Sequence, residues 1–474
     1  MPSITSYAGY LPAYRMPRQV MARQWGGHAM PGERTVANFD EDSLTMAVAA
    51  SLDALGGGQA PDAVMFASTT SPYRQKSVAA TLATVVGAGA GVRTLDLATT
   101  LRASSGAVMT AFDLVGSGSN QRILVAAGEV RAASPDSFDE QSAGDAGAAV
   151  VISSDGDGLV PLARASVSEE FHGTWRRDSA DYVQGFPGSL DAKLGYARVM
   201  PEVIGQVLKE AGAEAKDIGR AVICGPNPKL PMGLAAGLGF DVTGQLEDTL
   251  WMVAGDTGAA QPLLLLAAAL EKAEPGSLLL WAVYGDGADA MLFRVGEAVA
   301  AAKPTMSVAS QVEMKRPLEN YGKYERFRGL VKRDYINMEN SSASILYRDR
   351  REILELCGGK CPECGTLQFP LDRVCVSCGY SGGLEETLLP RKGKVFTFYE
   401  NHVFPHPDPP MIEAVVELDG GARFFGQVTD IGSGEVSIGM PVEMVFRLHH
   451  DEAGIHNYFW KARPARNGMG VADG

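Results

Sequence analysis

The stretch LDLATTLRASSGAVMTAFDLV, residues 95–115, has the pattern of a buried strand that enters a helix rich in small residues. Short apolar runs alternate with helix-like segments such as DEDSLTMAVAASLDAL and MPEVIGQVLKEAG throughout residues 1–300. The runs that predict buried strands are AVMFAST, RTLDLAT, RILVAAG, AAVVISS, AVICGP and LLLWAVYG. This alternation is typical of a layered α/β domain. The similar rhythm of the two halves indicates an internal duplication.

Length and charge limit the possible classes of protein. A chain of 474 residues predicts two or three domains, and its 46% hydrophobic residues allow sizeable cores. The net charge of −14 argues against nucleic acid as the main partner. The N-terminus lacks the basic start and apolar core of a signal peptide, and the most apolar run, QPLLLLAAALEKAEPGSLLLWAVYG, is interrupted by EKAEPGS. We therefore expect a cytoplasmic protein with no membrane-spanning segment.

The character of the sequence changes after the first domain, which is predicted to cover residues 1–302. The charged stretch KPTMSVASQVEMKRPLENYGKYERFRGLVKRDY predicts a helical connector over residues 303–352. Further on, KVFTFYENHVF, MIEAVVELDG, ARFFGQVTD and MPVEMVFRLH predict a small all-β barrel of five strands over residues 385–465. The last residues, 466–474, are expected to be a disordered tail.

A cluster of cysteines lies between the connector and the barrel, over residues 353–384. Its two C-x2-C pairs, Cys361 with Cys364 and Cys375 with Cys378, are separated by ten residues. Two such pairs on tight turns present four thiolates to one zinc ion, a stronger prediction than a redox dithiol or an iron–sulfur cluster. Four protein ligands leave no open position for water, so the zinc is predicted to be structural. Cys357 is interpreted as a small buried hydrophobic residue.

Residues 1–302 resemble hydroxymethylglutaryl-CoA synthase of the archaeal and bacterial type, within the thiolase superfamily. The resemblance rests on six stretches: SYAGYLPAYRMPRQVMARQWG, GERTVANFDEDSLTMAVAASLDAL, TSPYRQKS, TWRRDSADY, CGPNPKLP and GDTGAAQP with YGDGADA. It implies a five-layer αβαβα sandwich built from two duplicated halves, a homodimer, and coenzyme A thioesters as substrates.

The rest of the chain resembles the zinc-ribbon and OB-fold proteins that accompany thiolases as partners. YGKYERFRG, the four cysteines and MIEAVVELDGGARFFGQVTD carry this likeness. It implies a zinc ribbon followed by an OB fold that helps to bind the acyl-CoA, with both parts on one chain.

The family's catalytic residues are altered at the matching positions. The nucleophilic cysteine matches Leu101, and the acid–base glutamate matches Thr69. The histidine before PN matches Cys224, and the asparagine of GNT matches Asp256. The resemblance therefore implies that ordinary synthase activity is lost.

The binding positions of the family are retained. Lys229 matches a lysine near the coenzyme A phosphates, and Arg176 matches a basic residue at the coenzyme A entrance. For Arg177, a plain surface charge is the favoured interpretation. The backbone amides of Leu101 and Gly287 match an oxyanion hole, and a backbone donor does not depend on the side chain.

These residues favour chemistry without a covalent intermediate. Leucine cannot form an acyl-enzyme, but a thioester enolate needs only an oxyanion hole and a base. We therefore predict retro-aldol cleavage of a 3-hydroxyacyl-CoA. Asp256 is the first candidate for the base and Tyr284 the second, and Asp286 and Tyr73 are further candidates.

Two alternatives remain open from the sequence. The chain could be a non-catalytic scaffold or a CoA-binding partner of a thiolase. It could also be a condensing acyltransferase that uses Cys224, although no nearby sequence feature supplies this thiol with a base.

Overall fold

The computed structural model describes residues 1–154, 156–186, 188–331 and 340–466. The chain forms two compact units. The first contains Met1–Ala37 and Asp42–Tyr321, and the second contains Asn38–Glu41 and Gly322–Gly474. Of the predicted disordered tail, all but residue 466 lies outside the described residues.

The first unit is a mixed α/β structure. Its strands are β1 (Ser3–Tyr10), β2 (Tyr14–Pro17), β3 (Glu33–Val36), β4 (Ala63–Ala67), β5 (Arg93–Leu97), β6 (Arg122–Val130), β7 (Asp145–Ser153), β8 (Leu159–Ser168), β9 (Thr174–Trp175), β10 (Gln184–Gly185), β11 (Ile218–Ile223), β12 (Leu278–Tyr284), β13 (Gly287–Val295) and β14 (Arg316–Pro317). Its helices are α1 (Arg18–Trp25), α2 (Ser43–Leu55), α3 (Val78–Val85), α4 (Ala103–Gly116), α5 (Phe138–Ser142), α6 (Gly188–Leu190), α7 (Ala197–Ala211), α8 (Lys229–Gly237), α9 (Gln261–Leu270), α10 (Glu297–Ala301) and α11 (Val308–Glu313).

The first unit has the five layers that the sequence predicts. Its main sheet has the order β11-β12-β13-β8-β1-β7-β6-β4-β5. The two halves of this sheet are joined between β1 and β8 at a single residue pair, Ile4 with Leu159. Helices α4 and α9 lie between the halves, α2 covers the outer face of the first half, and α7 covers the second. The thiolase-like sandwich is thus confirmed.

The helices follow their burial patterns. Every residue of α9 is buried, as expected of a helix enclosed between two sheets. Helix α7 buries Val199, Val203 and Val207 on one face, the spacing of an amphipathic surface helix. Helix α2 begins with a capping box in which the Asp42 side chain accepts a hydrogen bond from the Thr45 N–H.

One strand differs from its prediction. The strand in RTLDLAT was expected to be buried, but β5 is the last strand of its sheet, and none of its residues is buried. An edge strand lacks a neighbouring strand on one side. The order of strand-like and helix-like segments in a sequence does not show which strand lies at the edge of the sheet and which lies at its centre.

The second unit contains a three-stranded ribbon and a five-stranded barrel. Its elements are α12 (Tyr321–Phe327, whose first residue belongs to the first unit), α13 (Ala343–Arg348), α14 (Arg350–Glu355), β15 (Cys357–Lys360), β16 (Leu367–Gln368), β17 (Glu385–Leu388), β18 (Lys392–Asn401), β19 (Met411–Leu418), β20 (Arg423–Gln427), β21 (Pro441–Glu452) and β22 (Ile455–Pro464). The barrel sheet has the order β20-β19-β18-β21-β22, and a bridge between Val428 and Ala462 closes it. The predicted OB-fold barrel is confirmed, with Ile455–Pro464 as its fifth strand.

A buried ionic cluster lies within the second unit. Arg447 contacts Glu41, lies 3.5 Å from Asp40, and is 2.7 Å from Asp430. Lys461 lies 3.0 Å from Asp40. The short segment Asn38–Glu41 is therefore part of the second unit because its carboxylates pair with barrel cations.

The first unit extends beyond the predicted boundary at residue 302. In α11, Val308 and Gln311 are buried, and the Gln311 side chain hydrogen-bonds to Gly9 O and the Leu11 N–H, each at 2.8 Å. The start of the predicted connector is thus built into the first unit. In the described parts of the chain, no helix is long and apolar enough to cross a membrane.

Candidate active site and metal centre

A pocket of about 360 Å³ lies in the first unit. Its walls come from the segments that follow parallel strands of both half-sheets. These segments contribute Thr69 after β4, Leu101 after β5, Arg131 after β6, Pro226 after β11 and Asp286 after β12. The loops that follow parallel strands lie together at the carboxyl-terminal edge of the sheet, and α/β proteins form their binding sites there.

Leu101 lines this pocket just before α4 begins at Ala103. Among the residues that the structure describes, no group accepts a hydrogen bond from the Leu101 N–H. Gly285 lies close to the backbone of Leu101 and Arg102. A Cβ on Gly285 would lie 3.3 Å from Leu101 N and 3.0 Å from Arg102 N. Leu101 can therefore offer an N–H donor to a ligand.

Gly287 also lines the pocket, so the two predicted oxyanion residues share one cavity. However, the glycine of YGDGADA that packs against Leu101 is Gly285 rather than Gly287. A Cβ on Gly287 would instead collide with the Val167 carbonyl of the neighbouring strand β8. The role of the Gly287 amide stays a prediction.

The pocket has a charged wall around Arg131. The first candidate base, Asp256, forms an ion pair with Arg131 at 3.4 Å and accepts a hydrogen bond from the Gly258 N–H at 3.0 Å. Glu129, the penultimate residue of β6, is near Arg131 in the chain and is 0% exposed. Burial raises the pKa of Glu129, and the neighbouring Arg131 offsets part of this rise.

The second candidate base, Tyr284, is hydrogen-bonded to an acidic side chain. Its hydroxyl donates a hydrogen bond of 2.5 Å to Asp191, which also lines the pocket. Gly195 leaves room for this hydroxyl, since a Cβ there would overlap Tyr284 Oη. Burial and the hydrogen bond to Asp191 raise the pKa of Tyr284 far above its usual value, so Tyr284 is poorly suited to accept a proton.

Asp191 begins a π-helical turn, Asp191–Tyr196. Such turns are rare in proteins, and those that do occur often lie at functional sites. Burial raises the pKa of Asp191, although the hydrogen bond from Tyr284 lowers it.

One cysteine, Cys224, is among the described residues that line the pocket. It is 2% exposed. Burial raises the pKa of the Cys224 thiol well above its usual value, which keeps it in the unreactive thiol form.

Of the basic residues considered as ligands for coenzyme A, the two arginines line the pocket and the lysine does not. Arg176 and Arg177 are exposed and line the pocket, and Arg176 donates a hydrogen bond of 3.0 Å to the Thr69 carbonyl. Lys229 is exposed at the first residue of α8 but is not among the lining residues. The remaining candidate bases, Tyr73 and Asp286, line the pocket as well.

The four predicted metal ligands come together in the second unit. The sulfurs of Cys361, Cys364, Cys375 and Cys378 all lie within 4.8 Å of one another. Two of the separations are 3.7 Å and 3.6 Å. Tetrahedral Zn–S bonds of about 2.3 Å require sulfurs about 3.8 Å apart, so the four sulfurs fit a zinc ion. Cys357 is buried outside this group, as expected.

Comparison with known proteins assigns the first unit to a family. A hydroxymethylglutaryl-CoA synthase from Aeropyrum pernix is 31% identical over 343 residues, which cover 69% of this chain and 94% of that protein. The chain belongs to the hydroxymethylglutaryl-CoA synthase family. A second member of the family, from Methanocella arvoryzae, is 27% identical over 70% of this chain and 99% of its own length.

Solved structures agree with the fold of this hydroxymethylglutaryl-CoA synthase family member. The structure of MvaS in complex with 3-hydroxy-3-methylglutaryl coenzyme A matches with a TM-score of 0.61 and 16% identity, over 72% of this chain and 94% of that one. The 3-oxoacyl-[acyl-carrier-protein] synthase III of Aquifex aeolicus matches with a TM-score of 0.56 and 22% identity, over 62% of this chain and 100% of that one. In the second unit, residues 386–447 match the family model of the ChsH2 C-terminal OB-fold domain.

The sequence analysis of this family member missed Glu129, Arg131 and Asp191. The signal for the first two was present, because both directly follow the apolar run RILVAAG at the end of a predicted strand. No comparable signal marks Asp191, whose position depends on a π-helical turn that residue patterns do not predict.

Proposed function

We propose that this protein cleaves a carbon–carbon bond of a 3-hydroxyacyl-CoA by a retro-aldol reaction, without a covalent intermediate. The observation that carries the proposal is Leu101, which lines the pocket without a nucleophilic side chain and whose N–H has no acceptor among the described residues. The lining cysteine, Cys224, is a buried thiol. Chemistry on a thioester in this pocket therefore depends on stabilising an enolate.

Coenzyme A thioesters are the proposed substrates. Membership of the family supports this choice, as does the related protein MvaS, whose structure was solved in complex with 3-hydroxy-3-methylglutaryl coenzyme A. Arg176, at the pocket wall, is a candidate ligand for the coenzyme A phosphates. Lys229, three residues beyond the lining residue Pro226, is a second candidate.

In the proposed reaction, the base removes the proton of the β-hydroxyl and a carbonyl forms at Cβ. The Cα–Cβ bond breaks, and its electron pair moves into the thioester to give an enolate. The Leu101 N–H, with the Gly287 N–H as the proposed second donor, stabilises the enolate oxygen. Protonation at Cα then yields the shorter acyl-CoA, and an aldehyde or ketone is the other product.

Asp256 remains our first choice for the base. Its carboxylate lines the pocket and lies 3.4 Å from the Arg131 guanidinium, which holds it in position at the pocket wall. The hydroxyl of Tyr284 is already engaged with Asp191, and we assign Tyr284 a positioning role instead.

We further propose a structural zinc ion at the four cysteines and a homodimer formed through the first unit. The sulfur separations support zinc. Strand β5 pairs with β4 on one side and has no strand on its other side among the described residues, and this open edge, with Leu95 and Leu97 only partly buried, supports association there.

The test is a screen of 3-hydroxyacyl-CoA substrates with the full-length protein, in which released acyl-CoA is followed by chromatography. We expect Asp256→Asn to reduce turnover by about 100-fold or more, because an amide cannot accept the proton. Leu101→Ala should retain turnover, since the backbone donor is unchanged. Asp113→Asn, at an exposed site on α4, is the matched control. Binding of coenzyme A without cleavage across the panel would instead favour a scaffold, and cleavage that survives Asp256→Asn would overturn the choice of base.

Condensation through Cys224 is the second candidate function, since the relatives are named as synthases. It requires a thioester on Cys224. Intact-mass spectrometry after incubation with acetyl-CoA decides between the two. We expect no adduct, because burial keeps this thiol protonated. A stable acyl adduct on Cys224 would favour condensation.

A further inference from the structure

A buried carboxyl group lies directly behind the pocket wall. Glu129 Oε2 accepts a hydrogen bond of 2.9 Å from the Thr69 N–H, and Glu129 Oε1 is in close hydrogen-bond contact with Thr69 Oγ1. Ser68 Oγ lies 3.5 Å from the same carboxyl. Glu129 itself is not among the lining residues, but Thr69 is. Thr69 therefore connects the buried carboxyl group to the pocket.

The surroundings of Glu129 shift the pKa of its carboxyl group upward on balance. Burial raises the pKa of Glu129, Arg131 and the hydrogen bonds from Thr69 lower it in part, and the charge of Asp256 raises it further. Asp256 is instead paired directly with Arg131. Two carboxyl groups thus lie near one arginine in different surroundings, one in a direct ion pair and one buried behind Thr69, and such pairs can divide the roles of base and acid.

The packing fixes this arrangement. Gly258 lies against both neighbours, because a Cβ there would be 2.8 Å from Glu129 Cγ and 2.8 Å from Arg131 Cδ. Thr69 is held at its N–H by the carboxyl group and at its carbonyl by Arg176. The backbone of this pocket-lining residue is consequently held on both sides.

We propose that Thr69 and Glu129 form a proton relay that serves the α-carbon of an acyl-CoA bound in the pocket, an inference that rests on the proposed enolate chemistry. The Thr69 hydroxyl gives its proton to Cα of the enolate, and the Glu129 carboxyl gives its own proton to Thr69 Oγ1. A C–H bond forms, the thioester carbonyl is restored, and Glu129 is left as a carboxylate. Glu129 regains a proton from solvent as Asp256 releases the one taken from the β-hydroxyl, so protons balance over a turnover. Thr69 is thus the catalytic residue, and Glu129 acts through it.

The relay is tested by hydrogen exchange at Cα, which does not require cleavage. Full-length protein is incubated with propionyl-CoA in D₂O, and deuterium at Cα is followed by mass spectrometry. We expect the wild-type protein to exchange these hydrogens. Thr69→Val, which has nearly the same shape, and Glu129→Gln should exchange about 100-fold more slowly or worse.

Thr69→Ser restores a hydroxyl and should recover most of the exchange, which a purely structural role of Thr69 would not predict. Thr110→Val, at an exposed site on α4, is the control for removal of a threonine hydroxyl elsewhere. Thermal unfolding of each variant checks that it is folded. Exchange by folded Thr69→Val at the wild-type rate, or no exchange by wild-type protein, would overturn the relay.

The exchange assay tests the relay and the cleavage assay tests the aldolase reaction, so one proposal can fail while the other holds. Exchange without cleavage of any 3-hydroxyacyl-CoA would support the relay and count against the aldolase. Cleavage without dependence on Thr69 would support the aldolase and overturn the relay.

Discussion

At the scale of single residues, Gly258 sets the spacing of the charged wall. Its φ of +55° is in the left-handed region, and both nearby side chains, Glu129 and Arg131, approach the position a Cβ would take. A residue with a side chain would be strained by the backbone angle and would also displace the two charged groups.

We therefore predict that Gly258→Ala lowers the free energy of unfolding by about 1–3 kcal/mol and reduces turnover. Thermal and denaturant unfolding measure the first effect. Gly233→Ala is the matched control, because Gly233 is exposed within α8 and a Cβ there meets no atom within 4 Å. It should leave stability unchanged or slightly raised. Equal stability of the two variants would contradict this account of Gly258.

At the scale of elements, the ribbon depends on its four sulfurs. The strands β15, β16 and β17 have only four, two and four residues, too little to bury a substantial core. Small metal-bound elements of this kind take their folding free energy from the ion.

We predict about one zinc ion per chain by elemental analysis, and its loss in Cys364→Ser. Limited proteolysis of this variant, or of protein treated with a chelator, should cut the ribbon region and leave the first unit intact. Cys357→Ala, in the same segment but outside the sulfur group, should keep its zinc. Wild-type protein with no tetrahedral metal would contradict the assignment.

The elements also indicate what a sequence can predict. The apolar pattern identified α7 because this helix has one apolar face, and the cysteine spacing identified the metal ligands because both pairs are local. The contact of Glu129, in β6, with Thr69, in the segment after β4, joins residues 60 positions apart, and that of Tyr284 with Asp191 joins residues 93 positions apart. Neither pairing follows from local pattern, so the charged wall of the pocket required the structure.

At the scale of the whole molecule, the ionic cluster of Arg447 ties the early segment Asn38–Glu41 into the second unit. The guanidinium is 2% exposed, and its partner carboxylates Asp40 and Glu41 are also buried. Removal of one member of a buried ion network leaves the others uncompensated.

We predict that Arg447→Met lowers the free energy of unfolding of the second unit by about 3–5 kcal/mol. Fluorescence of Trp460, a buried residue of the barrel, reports this transition. Arg348→Gln is the control, because the ion pair of Arg348 with Asp349 is largely exposed, and it should change little. Equal stability of Arg447→Met and Arg348→Gln would show that the second unit does not need the ionic cluster for its stability.

The same cluster predicts a pH dependence. Burial alone would raise the pKa of Asp430, but Arg447 and Arg463 outweigh it and lower this pKa below the usual value. Ionised Asp430 therefore stabilises the second unit at every pH above the usual aspartate pKa of about 3.9, and this stabilisation is lost as the pH falls further. In acid titrations followed by fluorescence, Asp430→Asn should be less stable than wild type at neutral pH and less sensitive to pH below about 4. Parallel titration curves would contradict this.

The position of Asn38–Glu41 has a consequence for how a gene of this kind can be divided. An open reading frame that started at codon 322 would encode the ribbon and barrel without Asp40 and Glu41, and would leave Arg447 and Lys461 buried without these counter-ions. After separation into two genes, the product of the other gene would have to supply these carboxylates, or the two cations would have to be substituted.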